Sequence, residues 1–401
     1  MAEPTNLYWP HFSEEEYARR DARIRAAMRE EGLDAIIVYG TGGLIGTDPC
    51  QANVVYIARY ASFTQTYVVF PLEGEPTLFV PWDYQVANAR KITRLRDVRP
   101  GSLGQIANRV ADRIEELGLA SGRIGVVGAS IVHDISLPRE HFTTLEERLP
   151  NAELPVVSKW FEELYIVKSE EEIAFIRRGA EMTDAVHEVL FQATRPGSRP
   201  SDLFDIVLAT AHSMGGRIPF GHIGATPMAD PEMVYPDPYA LTRPIEKGDV
   251  VLTELAVGYG GYFGKVWATY FVGPPTPLYE RMFEAAVKTR RDVYAAVRPG
   301  VSVRDIKPAL TSAIREAGFH NNTLLFGWGN YNVGIGVRVV DGEVTQEDFR
   351  FAEGQCMSVA SWPIADPDRC GLWLGDCALV TADGLENLQA YPLEEIRVVP
   401  G

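Results

Sequence analysis

Long apolar runs are missing from this sequence. Apolar stretches such as Tyr67–Phe70 and Leu78–Pro81 fall far short of the ~20 residues a membrane-spanning helix needs, which excludes a helical membrane anchor within it. The first residues, Met1-Ala-Glu-Pro-Thr5, hold no basic region followed by an apolar stretch, so no secretory leader is expected. Cysteine is scarce too. Cys50, Cys356, Cys370 and Cys377 show no CxxC spacing, which excludes a disulfide framework and makes cytoplasmic thiols the expectation. Basic residues are outnumbered, 38 Lys and Arg against 54 Asp and Glu, for a net charge of −16. That balance argues against nucleic acid, whose phosphates are bound by clustered Lys and Arg. It favours a neutral or cationic small molecule as partner. What is present is an ordinary globular mixture, 46% hydrophobic and 23% charged, without low-complexity segments. At 401 residues the chain exceeds one ordinary core, so two domains are expected.

The first part reads as strands alternating with helices. Ser13-Glu-Glu-Glu16 is a capping box opening a helix that carries Tyr17, Ile24 and Met28 and stops at Gly32. Ala35–Tyr39 and Ile124–Val127 read as strands, Thr66–Phe70 with Thr77–Val80 as a hairpin, and Gln105–Leu117 as a helix. This is an α/β domain. The boundary falls near Trp160–Lys168. Ser169 then caps a helix running to about Thr194, and a second helix covers Ser201–Ser213. Pro219–Pro244 is a Pro-rich loop, too long for a simple connection and therefore a candidate functional loop. Strands Val250–Val257 and Tyr262–Val272 are followed by helices Leu278–Val297 and Val303–Ala317. Strands around Asn332–Val340, Cys356–Trp362, Leu372–Val380 and Glu394–Val399 complete the chain.

Several segments in this order resemble the creatinase/prolidase/methionine-aminopeptidase (M24, pita-bread) family. They are Tyr165-Ile-Val-Lys-Ser-Glu-Glu-Glu-Ile173, Gly248-Asp-Val-Val-Leu-Thr-Glu-Leu-Ala256, Gly261-Tyr-Phe-Gly-Lys-Val-Trp-Ala-Thr-Tyr-Phe-Val-Gly273, Val297-Arg-Pro-Gly-Val-Ser-Val303, Glu353-Gly-Gln-Cys-Met-Ser-Val359 and Leu379-Val-Thr-Ala-Asp-Gly384. The resemblance implies an α+β protein: a pita-bread catalytic domain over residues 161–401, preceded by an α/β creatinase-type domain over residues 1–160. It also implies a homodimer with the active site near the subunit interface. In that arrangement Phe63, Thr64 and Tyr67 would be substrate contacts across the interface, although alternation of Phe63, Gln65 and Tyr67 is equally one face of a strand.

Metal-dependent members of the family bind two divalent ions through two Asp, one His and two Glu. Here the matching positions fall on Glu254, on Lys265, within Tyr331-Asn332-Val333, near Ala360, and near Gly375 just before Asp376. One carboxylate and a lysine cannot hold two divalent cations, and the His residues elsewhere show no ligand pairing. Neither a metal nor another cofactor is expected. The pattern resembles the metal-free branch of creatinase and ectoine hydrolase, which implies hydrolysis of an amide- or amidine-type C–N bond in a small molecule.

The residues themselves suggest how. With the hairpin turn centred on Tyr259-Gly260, Glu254 would lie opposite Lys265, with Ala256, Phe263 and Trp267 on the same face. A carboxylate there can activate water or carry a proton to a leaving nitrogen, and an ammonium can stabilise an oxyanion or keep the carboxylate ionised. A buried ion pair that merely fills a vacated cavity is the alternative. His222 is the nearby group suited to proton shuttling near neutral pH, with Tyr235 and Asp237 as fallback acid/base or hydrogen-bonding groups. Trp267, Trp328, Trp362 and Trp373, with Tyr331 and Asn332, fall in the same segments. They are expected either to fill a core or to form an apolar box for a planar or cationic group. Asp376 is a candidate contact for a substrate amine. Beyond the hydrolase, three readings stay open: a lyase, a metal-dependent Xaa-Pro-type peptidase should the ligand positions lie elsewhere, and a non-catalytic binding protein.

Overall fold

A computed structural model describes residues 10–42, 49–102, 104–129, 135–219, 221–236, 242–328, 336–340 and 342–399. The chain divides into two compact units, Met1–Tyr165 and Ile166–Gly401. No helix among the described residues is long and apolar enough to cross a membrane.

In the first unit the helix Glu14–Glu31 starts where Ser13 accepts a hydrogen bond from the Glu16 amide, and ends at Gly32, whose φ of 65° is the left-handed stop. Five strands follow: β1 (Ala35–Gly40), β2 (Thr66–Pro71), β3 (Thr77–Val80), β4 (Asp97–Pro100) and β5 (Ile124–Val127), in the spatial order β4-β3-β2-β1-β5. β1, β2 and β3 pair antiparallel, whereas the outer pairs β1–β5 and β3–β4 are parallel. Ile37, Val69, Phe79 and Val126 build one core with Val110 and Ile114 of the helix Ile106–Glu116. Tyr67 belongs to that core. It is fully buried, its hydroxyl bonds His141 Nδ1 at 2.8 Å, and its ring packs on Tyr39 at 5.0 Å. A residue so enclosed cannot serve as the substrate contact expected of it. Phe63 is exposed and stacks on Trp82 at 5.2 Å.

The second unit opens with a complete capping box. Ser169 Oγ accepts from the Glu172 amide (3.2 Å), and Glu172 accepts from the Ser169 amide (2.8 Å). The helix it starts, Glu170–Ala193, lies directly on the hairpin of β7 (Asp249–Tyr259) and β8 (Tyr262–Val272). Glycines permit this closeness: a Cβ at Gly179 would stand 2.7 Å from the Gly264 nitrogen, and one at Gly264 would stand 2.4 Å from Ala180 Cα.

The segment expected to be a Pro-rich loop is partly a strand. β6 (Gly221–Pro227) pairs along β7 over seven positions. Its glycines and terminal proline mask a β pattern that the neighbouring strand enforces. Further on come β9 (His320–Asn321), β10 (Leu324–Gly327), β11 (Gly336–Val340), β12 (Glu343–Val344), β13 (Cys356–Ser361), β14 (Pro363–Asp366), β15 (Cys370–Gly371), β16 (Leu374–Thr381), β17 (Gly384–Asn387) and β18 (Val398–Val399). The main sheet runs β12-β11-β10-β13-β16-β8-β7-β6, with β17 beside β16 and β18 parallel to β8. β15, β14 and β9 form a small separate sheet.

Two expected boundaries move. The helix foreseen from Val303 begins at Lys307, because the Asp305 carboxylate holds the amide and hydroxyl of Ser302 (2.9 and 2.6 Å) in a turn. Of the terminal strand foreseen from Glu394, only Val398–Val399 pairs.

Candidate functional site

The hairpin turns at Gly260 and Gly261, both with positive φ (59° and 86°), the arrangement two-residue turns favour. The turn is therefore one residue later than expected. Glu254 pairs with Trp267, and Lys265 with Ala256. The predicted face survives, since moving both partners together preserves the alternation. Glu254, Ala256, Lys265 and Trp267 still point to one side, and the long helix covers the other.

Registers across the sheet extend this face into a row: His222, Glu254, Trp267, Gly375, Ala360 and Leu324 stand side by side on β6, β7, β8, β16, β13 and β10. Three of the expected ligand positions, Glu254, Gly375 and Ala360, thus share one line, with Lys265 diagonal to it.

Glu254 and Lys265 are both 6% exposed, and the Lys265 ammonium forms an ion pair with Glu254 Oε1. The second oxygen, Oε2, accepts a hydrogen bond from the Tyr235 hydroxyl at 3.0 Å. Burial pushes the Lys265 ammonium down from its ordinary value, opposed by the Glu254 charge beside it. Burial, reinforced by the same negative charge, pushes the Tyr235 phenol far up, so it stays protonated and donates.

Lys265 is also enclosed by aromatic faces, with Nζ 4.1 Å from the Trp267 ring centre and 4.5 Å from that of Trp328. Cation–π attraction of this kind strengthens when water is excluded. Two of the four tryptophans foreseen as a box, Trp267 and Trp328, thus enclose a cation, and that cation is the protein's own.

Trp362 and Trp373 stand next to this cage, ring centres 5.1 Å apart, with Trp373 6.4 Å from Trp267. Tyr235 closes the cluster, 4.8 Å from Trp373, 5.8 Å from Trp362 and 5.4 Å from His222. His222 therefore lies beside both Glu254 and Tyr235. Tyr235 is 38% exposed and lines an open cleft of about 480 Å³ with Thr226, Met233, Glu232 and Arg243. Arg243 is held there by a two-pronged pair with Asp249 (2.8 and 2.9 Å). These cleft residues, apart from Tyr235, escaped sequence reasoning. The available signal was the unusual length of the segment between the helix Pro200–Ser213 and β7.

Asp376 requires a correction. Neighbour to Gly375 on β16, it necessarily points to the opposite face. There it is fully buried, paired with Arg290 of the helix Pro277–Ala296 and accepting from the Tyr294 hydroxyl at 2.8 Å. It braces the helix against the sheet and is out of reach of a substrate amine. Tyr331, Asn332 and Asp237 lie outside the described residues.

The donor set can be tested against divalent cations. Glu254 is the carboxylate of the row, Lys265 brings a positive charge, and Ala360 and Gly375 bring no donor atom. A glutamate could not be restored at Gly375, since a Cβ there would meet Val359 O at 2.7 Å and Trp267 Cε3 at 2.8 Å. Among the described residues no group of three or more His, Cys, Asp or Glu gathers. These residues do not fit a pair of divalent ions.

The profile described as metallopeptidase family M24 matches residues 174–382, and that of the creatinase/prolidase N-terminal domain matches residues 20–167. The chain belongs to family M24. Its second unit has that family's pita-bread fold. A similar protein is the probable dipeptidase PepE of Mycobacterium tuberculosis, 26% identical, covering 97% of this chain and 98% of the relative. Creatinase of Bacillus sp. is 23% identical, covering 96% and 92%. Among solved structures, dipeptidase PepE from Mycobacterium ulcerans superposes with a TM-score of 0.77 at 22% identity, covering 98% of this chain and all of that one. This M24 member is similar to hydrolases over nearly its whole length.

Proposed function

We propose that the chain is a metal-independent hydrolase that cleaves an amide- or amidine-type C–N bond in a small polar, heterocyclic or aromatic molecule. The observation that carries this reading is the Glu254–Lys265–Tyr235 constellation, a buried carboxylate with a tethered cation on one oxygen and a phenol on the other. Similarity to a dipeptidase and to creatinase supports hydrolysis as the reaction class. In the proposed reaction Glu254 takes a proton from water as the water oxygen bonds to the substrate carbon. The C–N bond then breaks, its electron pair goes to nitrogen, and Glu254 returns the proton there. Lys265 keeps the carboxylate ionised between the two transfers and lowers the energy of the developing oxyanion. Tyr235 orients Glu254 and meets the substrate at the cleft, and His222 is a further route for the proton. The proposed working form is a cytoplasmic homodimer, a setting that suits its four unbridged, buried cysteines.

The test is turnover of a panel of small amides, amidines and dipeptides by the full chain, before and after dialysis against a chelator. Activity is expected to survive the chelator and to fall by at least about a hundredfold in Glu254→Gln. Activity that disappears with the chelator and returns with a divalent ion would refute metal independence. Full turnover in Glu254→Gln would refute the role of the carboxylate.

A further inference from the structure

Two polar groups in the tryptophan cluster have no partner. The indole Nε1 atoms of Trp362 and Trp373 are buried and make no hydrogen bond, and Trp373 as a whole is 1% exposed. Buried N–H groups are nearly always paired, because leaving one unsatisfied is costly. Two in adjoining rings therefore need a reason.

Their position supplies one. The Trp362 nitrogen lies against Gly371, 3.1 Å from where a Cβ would stand, and that same point is 2.7 Å from the carbonyl of Val234. Met233 and Tyr235, on either side of Val234, line the cleft, and the Tyr235 ring packs against both indoles. The ring faces of Trp267 and Trp328 are already occupied by Lys265. The Tyr235 hydroxyl is committed to Glu254. What the cluster still offers is a pair of unpartnered N–H donors, which is a demand for a hydrogen-bond acceptor.

We propose that the indole N–H groups of Trp362 and Trp373 form a subsite for an acceptor oxygen, carbonyl or carboxylate, carried by a planar substrate that enters past Tyr235. This rests on the hydrolase reading for calling the ligand a substrate. It also reverses the charge preference expected from the acidic composition, because the cation this pocket accommodates is Lys265.

The experiment uses the full chain labelled with nitrogen-15 at its indoles, whose seven tryptophans give seven side-chain N–H signals. Trp362→Phe and Trp373→Phe assign two of them, and undisturbed positions of the remaining signals show that each variant is folded. Three probes share one ring: benzamide, benzoate and benzylamine carry a neutral acceptor, an anionic acceptor and a cation. Benzamide or benzoate is expected to shift the Trp362 and Trp373 signals downfield, and to bind about tenfold more weakly to either variant. Benzylamine is expected to leave both signals in place. Preference for benzylamine, acceptor binding that moves only other indoles, or no response to any of the three probes would overturn the subsite. Because nothing is turned over, the outcome is separable from that of the hydrolase test. Full activity in Glu254→Gln with intact indole shifts would remove the chemistry and keep the subsite, and the reverse pattern would do the opposite.

Discussion

Lys265→Met removes the tethered cation while keeping much of the side chain's volume. Glu254 then remains 6% exposed with a hydrogen bond from Tyr235 but no opposite charge. Breaking a buried pair from one side costs about 3–5 kcal/mol, since the surviving charge stays desolvated. Lost attraction to Trp267 and Trp328 adds about 1–2 kcal/mol. For a unit the size of Ile166–Gly401, the broken pair alone lowers Tm by about 6–20 °C. Adding Glu254→Gln should recover most of the loss, because a pair replaced on both sides is often close to neutral. The double variant keeps a deficit of about 1–2 kcal/mol from the emptied aromatic cage. The sign of the pH dependence follows from the same burial. A carboxylate buried without its cation holds a proton more tightly folded than unfolded, so its contribution to stability is largest at low pH and is lost as pH rises. Lys265→Met is thus expected to lie closer to the wild type at pH 5 than at pH 8, and the double variant to show no such trend. Urea denaturation of the four proteins at both pH values measures the cycle. Additive effects of the two substitutions, or a loss below about 0.5 kcal/mol in Lys265→Met, would show that the pair is neither buried nor coupled as described.

Two further outcomes concern the surroundings of the site. Gly375→Ala places a Cβ 2.8 Å from the Trp267 ring and 2.7 Å from Val359 O. Denaturant titration should show a loss of about 1–3 kcal/mol from overpacking, and near-ultraviolet dichroism should report the disturbed indoles. On the helix Glu170–Ala193, burial raises Asp184 to about 6 against its backbone and Gln389 hydrogen bonds, and lowers His187 to about 4. Asp184 contributes stability below pH 4 that is lost as pH rises through 6. His187 contributes stability above pH 6.5 that is lost as pH falls towards 4. The two slopes oppose each other, so the contributions of this pair nearly cancel between pH 4 and 6. Relative to wild type, the stability of His187→Gln should fall between pH 4 and 6.5 by no more than about 3 kcal/mol, and a difference that does not change with pH would refute the assignment.

Much of this architecture is legible in the chain, and the reason is local. Ser169 and Glu172 sit three apart ahead of an apolar run, which suffices to start a helix. Ile124–Val127 is a short apolar run bounded by turn residues, and it is the strand observed. Turn geometry is less readable, because Tyr259-Gly260 and Gly260-Gly261 both offer a glycine. Only the second places positive φ at two residues that tolerate it without cost. β6 was hidden for a related reason: Gly221, Gly224 and Pro227 argue against a strand, and a long partner strand decides otherwise.

Which polar groups act together is the part that local pattern could not supply. Asp376 and Gly375 are adjacent, and period-two alternation alone requires that only one of them face Glu254. The choice of face depends on register with β8, where Gly375 meets Trp267, and on Arg290, which waits on the other side 86 residues earlier in the chain. The tryptophans pose the same difficulty in another form. Their crowding signals an aromatic pocket, but whether such a pocket seeks a cation depends on what already fills it. Lys265, reached through a diagonal rather than a direct pairing, fills it from within. Its ammonium, neutralised by Glu254, turns an aromatic box that would attract an amine into one already filled, with two idle N–H donors left beside it. The ligand preference of the site thus follows from side-chain reach across the hairpin more than from the composition of the pocket wall.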